Sequence, residues 1–252
     1  MRSASGQSHY GKSCDRGPPL KVSILIFPGS NCDHDALHVS QRLMGWKTIS
    51  VWHQDSELPV NTDLVIVPGG FSYGDYLRCG AIASLAPIMK AVHRHASEGG
   101  LVLGICNGFQ ILCEAALLPG ALLRNRGLQF LHQRVHLRVE RNDTPFTASL
   151  NQGQLLEMPI AHGEGNYTCD EDTLASLKAN RQIILKYAHP SGEINDTSAT
   201  NGSLEQIAGI VNQSGNVLGL MPHPERACEA SLGMVDGLGI FQSLEHSRRL
   251  VS

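Results

Sequence analysis

A short apolar run leads into a glycine-flanked cysteine at Leu101-Val102-Leu103-Gly104-Ile105-Cys106-Asn107-Gly108. The first five residues are typical of a buried β-strand, and the segment from Asn107 to Leu118 carries apolar residues at helical spacing. The G-x-C-x-G pattern between them corresponds to a strand-to-helix elbow, a tight turn that holds a nucleophile clear of the sheet. The stretch therefore predicts an α/β fold with Cys106 at the end of a strand, its side chain held clear of the sheet.

The same strand and helix alternation extends towards the N-terminus. Near-continuously apolar strands are those covered on both faces, so the pattern predicts a mainly parallel, doubly wound sheet with flanking helices. The predicted strands are Val22 to Phe27, Thr48 to Trp52, Asp63 to Val67 and Leu101 to Ile105. The first predicted helix is capped by Ser30 or Asn31 and ends at Met44. The second runs from Ala81 to Ala96 with a kink at Pro87, and the third from Asn107 to Leu118.

The pattern of apolar and polar residues changes beyond residue 127. Val135, Leu137 and Val139 alternate with polar residues, which predicts a half-exposed antiparallel strand. Residues 207–211 and 217–221 flank a polar turn and predict a hairpin. The polar segment 190–203 predicts an exposed loop. These elements form an antiparallel extension of one domain, residues 21–252, after a polar segment, residues 1–20, that we interpret as a disordered leader.

The composition excludes several classes of protein. The 252 residues are 42% hydrophobic and 17% charged, unlike a disordered chain. The net charge of −3 comes without a basic run, which argues against nucleic acid and membrane surfaces as partners. The seven cysteines are irregularly spaced and form no C-x-x-C pair, so we expect reduced thiols in a cytoplasmic protein.

Cys106 is the candidate nucleophile. The helix that follows it has a partial positive charge at its N-terminus, which favours a thiolate. A buried structural cysteine beside a glycine turn is the commoner case on composition alone, and Cys113 is interpreted in that way. The position of Cys106 between a strand and a helix favours the catalytic interpretation.

The candidate base lies in the motif Met221-Pro222-His223-Pro224-Glu225. Pro224 disfavours the α conformation at His223, so we expect an extended segment in which His223 and Glu225 point the same way. Glu225 would then fix the imidazole tautomer and leave the other nitrogen facing Cys106. A His and a Glu in an ordinary surface loop are the alternative, and the elbow at Cys106 favours the triad.

The double glycine of Pro68-Gly69-Gly70-Phe71 follows the third predicted strand. In a parallel sheet this loop and Cys106 lie at the same carboxyl edge, where open α/β sheets bind ligands. A backbone N–H of this loop and that of Asn107 could form an oxyanion hole. An ordinary glycine-rich turn is the alternative.

Two other patterns do not predict sites. The segment Gly6 to Ser13 matches the P-loop pattern, but it lacks the preceding strand and following helix that a P-loop needs. His132 and His136 lie four residues apart, yet the alternation around them indicates a strand, and no cluster of carboxylates or cysteines completes a metal site. We therefore expect no metal and no cofactor in this chain.

Five motifs together resemble the class I, or triad, glutamine amidotransferases, and within them the glutaminase subunits of phosphoribosylformylglycinamidine synthase. The resemblance covers about residues 21 to 245, and the long second motif is specific to that subfamily. The motifs are Phe27-Pro28-Gly29-Ser30-Asn31-Cys32-Asp33, Pro68-Gly69-Gly70-Phe71-Ser72-Tyr73-Gly74-Asp75-Tyr76-Leu77-Arg78-Cys79-Gly80-Ala81, Gly104-Ile105-Cys106-Asn107-Gly108-Phe109-Gln110, Ala161-His162-Gly163-Glu164-Gly165-Asn166 and Met221-Pro222-His223-Pro224-Glu225-Arg226.

The resemblance implies the roles of the site residues. Cys106 would attack the side-chain amide of L-glutamine, His223 would relay the proton, and Glu225 would orient His223. Gln110 would contact the substrate, as would the loop of Gly69, Gly70 and Phe71 together with Asn107. The segment His162 to Gly165 would line the site or contact a partner, although its spacing suggests no mechanism. The family lacks a leader, so residues 1–19 need not belong to the native domain.

The resemblance also implies partners. Ammonia would pass to a separate large synthetase subunit that binds ATP and magnesium and makes an amidine from formylglycinamide ribonucleotide, and a small bridging subunit is usual. An amidotransferase or free-standing Cys hydrolase of another pathway is the first alternative, and the specificity of the second motif argues against it. A non-enzymatic thiol sensor is the other alternative, in which the P-H-P-E motif would have no role.

Overall fold

The computed structural model describes residues 18–249. The helices are α1 (Asp33–His38), α2 (Pro87–Ser97), α3 (Asn107–Glu114), α4 (Glu171–Ala179) and α5 (Leu238–Arg249). The strands are β1 (Lys21–Ile26), β2 (Lys47–Trp52), β3 (Leu64–Val67), β4 (Leu101–Ile105), β5 (Ala121–Leu123), β6 (Leu131–Val139), β7 (Leu155–His162), β8 (Asn166–Thr168), β9 (Ile183–Ala188), β10 (Ile207–Val211) and β11 (Val217–Leu220).

Nine of these strands form one sheet in the order β2-β1-β3-β4-β11-β10-β9-β6-β7. The first five strands are parallel to one another. The remaining four continue the sheet in antiparallel fashion. The predicted mainly parallel sheet with flanking helices and an antiparallel extension is therefore confirmed.

The burial of each strand follows from its sequence pattern. Every residue of β3 is buried, as expected for a central strand covered on both faces. In β6 the buried residues are Val135, Leu137 and Val139, so the predicted half-exposed antiparallel strand is confirmed. The predicted hairpin is formed by β10 and β11. Its second strand also pairs with β4, which brings a segment far along the chain beside Cys106.

Three helix predictions were wrong in their boundaries. The first helix begins after Cys32, because Ser30 Oγ accepts a hydrogen bond from the Phe27 amide and Asn31 Oδ1 accepts one from the Cys32 thiol, so neither caps a helix. It continues as a π-helical turn, Val39–Leu43. The helix predicted from Ala81 begins instead at Pro87, since proline is well suited to the first turn. The helix α3 ends at Glu114 and does not reach Leu118.

The loop predicted to be exposed, residues 190–203, is buried at its C-terminal end. Asn201 is fully buried, and its Nδ2 donates to Gly165 O at 2.8 Å and to Tyr187 Oη at 3.1 Å. Satisfied hydrogen bonds allow such a polar side chain to be buried, which composition does not reveal.

The predicted leader mostly precedes the described residues. Residues 1–17, including the P-loop match, lie outside them, so both predictions stay untested. Leu20 already belongs to the core, and its carbonyl accepts a hydrogen bond from the Lys47 amide at 2.9 Å. Within residues 18–249 no helix is long and apolar enough to cross a membrane.

Candidate active site

Four parallel strands carry the candidate site segments to one edge of the sheet. Cys106 follows β4, Gly69 follows β3, His223 follows β11, and the loop containing Cys32 follows β1. The strands β1, β3, β4 and β11 are neighbours, so their carboxyl ends open onto one crevice. This is the position at which open α/β sheets bind ligands.

Cys106 has the backbone conformation of a strained elbow. Its φ of 53° and ψ of −106° lie outside the regions that non-glycine residues normally occupy. The residue sits directly before α3 and is 5% exposed. Gly108 lets this helix approach β3 closely, because a Cβ there would overlap the Val67 carbonyl oxygen. Non-glycine residues in such conformations cluster at functional sites.

His223 and Glu225 form a buried hydrogen-bonded pair. Nδ1 of His223 and Oε1 of Glu225 are 2.6 Å apart, and the two residues are 1% and 3% exposed. The extended conformation predicted for the segment was wrong, since Pro224–Arg226 forms a 3-10 turn. The turn nevertheless brings the two side chains together. The backbone amide of His223 donates to Pro159 O at 2.9 Å, which anchors the start of the turn to β7.

The pair lies against Cys106 and shares a small space left by Gly69. A Cβ on Gly69 would stand 2.9 Å from His223 Cε1 and 3.5 Å from Cys106 Cβ. Nε2 of His223 is buried and has no hydrogen-bond partner. Burial lowers the pKa of His223, but the charges of Glu225 and Cys106 outweigh burial and raise that pKa well above its usual value. The three predicted triad residues are thus brought together.

The loop after β3 and the start of α3 each contribute a backbone amide that could bind an oxyanion. The Gly69 carbonyl accepts from the Asn31 and Cys32 amides at 3.4 and 3.2 Å, and the Phe71 amide donates to Gly29 O at 2.9 Å. Within residues 18–249, neither the Gly70 amide nor the Asn107 amide at the start of α3 donates to a protein acceptor. These two groups are candidates for the predicted oxyanion hole.

A cavity of about 320 Å³ opens beside Cys106. Of the predicted substrate-binding residues, Gly70, Phe71 and Gln110 line this cavity, whereas Gly69 and Asn107 do not. The other lining residues are Asp75, Cys79, Arg124, Leu128, Gln129, Phe130, Ala161, His162, Gly163 and Glu164.

Asn107 joins the walls of the cavity. Its Oδ1 accepts from the Ser72 amide at 3.1 Å and its Nδ2 donates to Gln110 Oε1 at 2.8 Å. Gln110 Nε2 in turn donates to the Glu164 carbonyl at 2.5 Å. The side chain of Asn107 therefore links the loop after β3 to the helix α3, and Gln110 extends this hydrogen-bond network to the segment after β7.

Sequence reasoning missed several charged and polar lining residues. Burial raises the pKa of the Asp75 carboxyl and that of the Cys79 thiol. Both belong to the long second motif, so their place in that motif could have identified them as candidate site residues. Arg124 lies 3.8 Å from the Glu164 carboxylate and belongs to none of the five motifs.

His162 gives the fourth motif a structural role. Asn125 Nδ2 donates to the Gln129 and His162 carbonyls, so Asn125 Oδ1 faces His162 Nδ1 at 3.1 Å as an acceptor. The same Oδ1 accepts from the Gly165 amide at 3.0 Å. Burial lowers the pKa of His162 to about 4, so its imidazole is neutral at pH 7. The pair fixes the segment that follows β7.

Cys32 is the principal neighbour that sequence reasoning did not single out. A Cβ on Gly69 would lie 3.0 Å from its sulfur, so Cys32 borders the same space as His223 and Cys106. The signal was present, because the loop after β1 ends at the same edge as the loop after β3. In contrast, His132 and His136 lie on β6 away from this edge, and no cluster of potential metal ligands in residues 18–249 includes them.

Comparisons with known proteins identify the family of this chain. Residues 19–234 match the family model of the CobB/CobQ-like glutamine amidotransferase domain. A glutamine amidotransferase from Thermotoga maritima shares the fold, with a TM-score of 0.52 at 15% identity and coverage of 92% of this chain and 92% of that one. The match to the family model spans most of the chain, and the chain belongs to this glutamine amidotransferase family.

More similar relatives narrow the assignment. Phosphoribosylformylglycinamidine synthase subunit PurQ from Rhodopseudomonas palustris is 56% identical over 90% of this chain and 98% of its own. The subunit of that name from Gloeobacter violaceus is 55% identical over 89% and 97%. A chain in the structure of PurLQS from Thermotoga maritima has a TM-score of 0.80 at 43% identity, covering 91% of this chain and 99% of that one. Within the amidotransferases, the chain is a member of the PurQ family.

Proposed function

We propose that this chain is the glutaminase subunit of phosphoribosylformylglycinamidine synthase and hydrolyses L-glutamine to glutamate and ammonia. The observation that supports it most strongly is the strained Cys106 beside the buried His223 and Glu225 pair. The sequence identity to PurQ relatives favours a role in this synthase over a role as an amidotransferase or Cys hydrolase of another pathway. Mixing the chain with its synthetase and measuring glutamine-dependent amidine formation tests the proposal.

The chemistry follows from the triad. His223 accepts the proton of the Cys106 thiol as the sulfur attacks the carboxamide carbon of glutamine, and the amides of Gly70 and Asn107 stabilise the oxyanion. His223 donates a proton to the departing nitrogen, so ammonia leaves and a glutamyl thioester remains on Cys106. His223 then accepts a proton from water, which attacks the thioester and releases glutamate with the thiol. Glu225 holds the imidazole in the required tautomer throughout.

The cavity suits a zwitterionic amino acid. Carboxylates of Asp75 and Glu164 can bind the α-ammonium group, and the guanidinium of Arg124 can bind the α-carboxylate. Gln110 and Phe71 form the adjoining walls. The volume of about 320 Å³ is at the small end of ligand pockets and is consistent with a single amino acid.

The relatives and the rim of this cavity support the proposed partners. Phe71 and Phe130 are 45% and 54% exposed, with ring centroids 6.4 Å apart, and Leu128 beside them is 76% exposed. We infer that the synthetase subunit covers this apolar rim and receives the ammonia, with a small bridging subunit in the complex. ATP and magnesium would bind to the synthetase and no cofactor to this cytoplasmic chain.

The isolated chain is expected to hydrolyse glutamine more slowly than the complex. The loop after β3 holds Tyr73, Asp75 and Leu77 at positive φ, and Leu77 is 90% exposed, so contact with a partner can change the working geometry of the adjoining oxyanion donors. Glutaminase turnover should be compared with and without the synthetase and its ligands. Equal rates with and without the synthetase would contradict the proposed coupling between the two subunits.

Glu225→Gln is expected to lower glutaminase turnover less than His223→Ala does. A carboxylate that orients the base tunes the reaction, whereas the imidazole transfers the proton itself. Both variants should be compared by single-turnover kinetics after thermal melting shows that they fold. The reverse order of effects would mean that the roles in the pair are wrongly assigned.

A further inference from the structure

Cys32, His223 and Glu225 form a buried cluster of potential metal ligands. The Cys32 sulfur, a ring nitrogen of His223 and a carboxylate oxygen of Glu225 all lie within 4.8 Å of one another. The three residues are 2%, 1% and 3% exposed. Oε2 of Glu225 has no hydrogen-bond partner although it is buried. The catalytic role of the pair does not account for the thiol.

The donor set fits a soft divalent ion. Thiolate, imidazole and carboxylate are the ligands of zinc, and three protein ligands leave one position for water. His223 Nδ1 and Glu225 Oε1 are already 2.6 Å apart, so an ion with bonds of about 2.0–2.3 Å would replace the proton that they share and draw the Cys32 sulfur towards them. The negative charges of Cys32 and Glu225 would balance the charge of the ion. Magnesium and calcium prefer sites made of oxygen ligands alone.

The surroundings of Cys32 favour its participation. Its thiol donates to Asn31 Oδ1 at 3.0 Å, and Arg226 Nη2 approaches the sulfur at 3.1 Å. The Arg226 guanidinium stabilises a thiolate, and its own charge is shared with Asp35, whose carboxylate lies 2.9 Å away. The backbone of Cys32 is anchored by its amide, which donates to Gly69 O.

We propose that Cys32, His223 and Glu225 form a binding site for Zn²⁺ or a similarly soft divalent ion, and that occupation of this site switches off the glutaminase, an effect that rests on the proposed function. The ion takes His223 and Glu225 out of the triad without a bond to Cys106. Ammonia supply then stops while the synthetase partner stays competent. The inhibition differs from ordinary metal poisoning of a nucleophilic thiol, because Cys106 is dispensable for binding.

The test measures binding of zinc chloride and cadmium chloride to the full chain. Calorimetric titration gives the stoichiometry, and ultraviolet charge-transfer absorption reports a cadmium–thiolate bond. Wild type and Cys106→Ala are expected to bind one ion per chain with similar affinity. Cys32→Ala is expected to lose about 100-fold in affinity, as is Cys32→Ser, which keeps a hydrogen-bonding group. Cys228→Ala is the matched control, a buried thiol that donates to Pro224 O at 3.0 Å, and should bind like wild type.

Activity in the complex supplies the second readout. Zinc should inhibit glutamine-dependent amidine formation and spare formation from ammonium chloride, and Cys32→Ala should resist this inhibition. Loss of binding in Cys106→Ala, unchanged binding in a folded Cys32→Ser, or no binding by wild type would each overturn the proposal. These results concern the metal alone, so the glutaminase function is tested separately by metal-free assays.

Discussion

Cys106→Ala is expected to abolish amidine formation from glutamine and to leave formation from added ammonium salt nearly intact. The nucleophile serves only to liberate ammonia in the proposed function, and the ATP-dependent step takes place on the synthetase. The reconstituted complex should be assayed with glutamine and with ammonium chloride in parallel. Alanine is preferred to serine, because a hydroxyl at the elbow could retain slight nucleophilicity.

The structure supplies a matched control for this experiment. Cys113 lies on α3 beyond the elbow, and its sulfur donates weakly to Pro119 O at 3.9 Å. Cys113→Ala should therefore preserve both activities, and thermal melting should show that both variants fold. Loss of both activities in a folded Cys106→Ala complex would mean that Cys106 also acts in the synthetase step, or that this chain is not the ammonia donor.

The parallel half of the fold was predictable because its signals are local and periodic. The strands β1, β3 and β4 are short apolar runs with a glycine or proline close by, and a buried parallel strand needs little else. The elbow at Cys106 follows from the same pattern, since the strand, the two glycines and the helix follow one another directly along the chain. Helix ends were predicted less well, because Ser30 and Asn31 have competing hydrogen-bond partners that the sequence does not show.

The rest of the site depends on contacts between distant loops. His223 and Glu225 were expected to meet in an extended segment, and they meet in a 3-10 turn, so the contact was predicted for the wrong local reason. Asp75 lies in a loop of left-handed residues that follows no period. Cys32 enters the site through the pairing of the loops after β1 and β3, which is seen in the bridge between Ser30 and Gly70.

Gly69→Ala is expected to lower glutaminase turnover by about 100-fold, the cost of moving a catalytic group by about 1 Å. The added Cβ would stand 2.9 Å from His223 Cε1 and 3.0 Å from the Cys32 sulfur, so the imidazole or the loop after β3 must shift. The φ of Gly69 is not in the left-handed region, so alanine itself introduces no backbone strain. The effect should appear in kcat more than in KM, because Gly69 does not line the cavity.

Gly127→Ala is the matched control for this substitution. Gly127 also has an ordinary φ, and a Cβ there would meet no atom within 4 Å, so turnover and melting temperature should stay close to those of wild type. A Gly70→Ala variant would be less informative, because its φ of +149° and a 2.8 Å approach to Ser30 Cα threaten the fold itself. If Gly69→Ala folds and turns over like Gly127→Ala, then His223 does not need its present position, and the close packing of imidazole, sulfur and backbone is not what sets the rate.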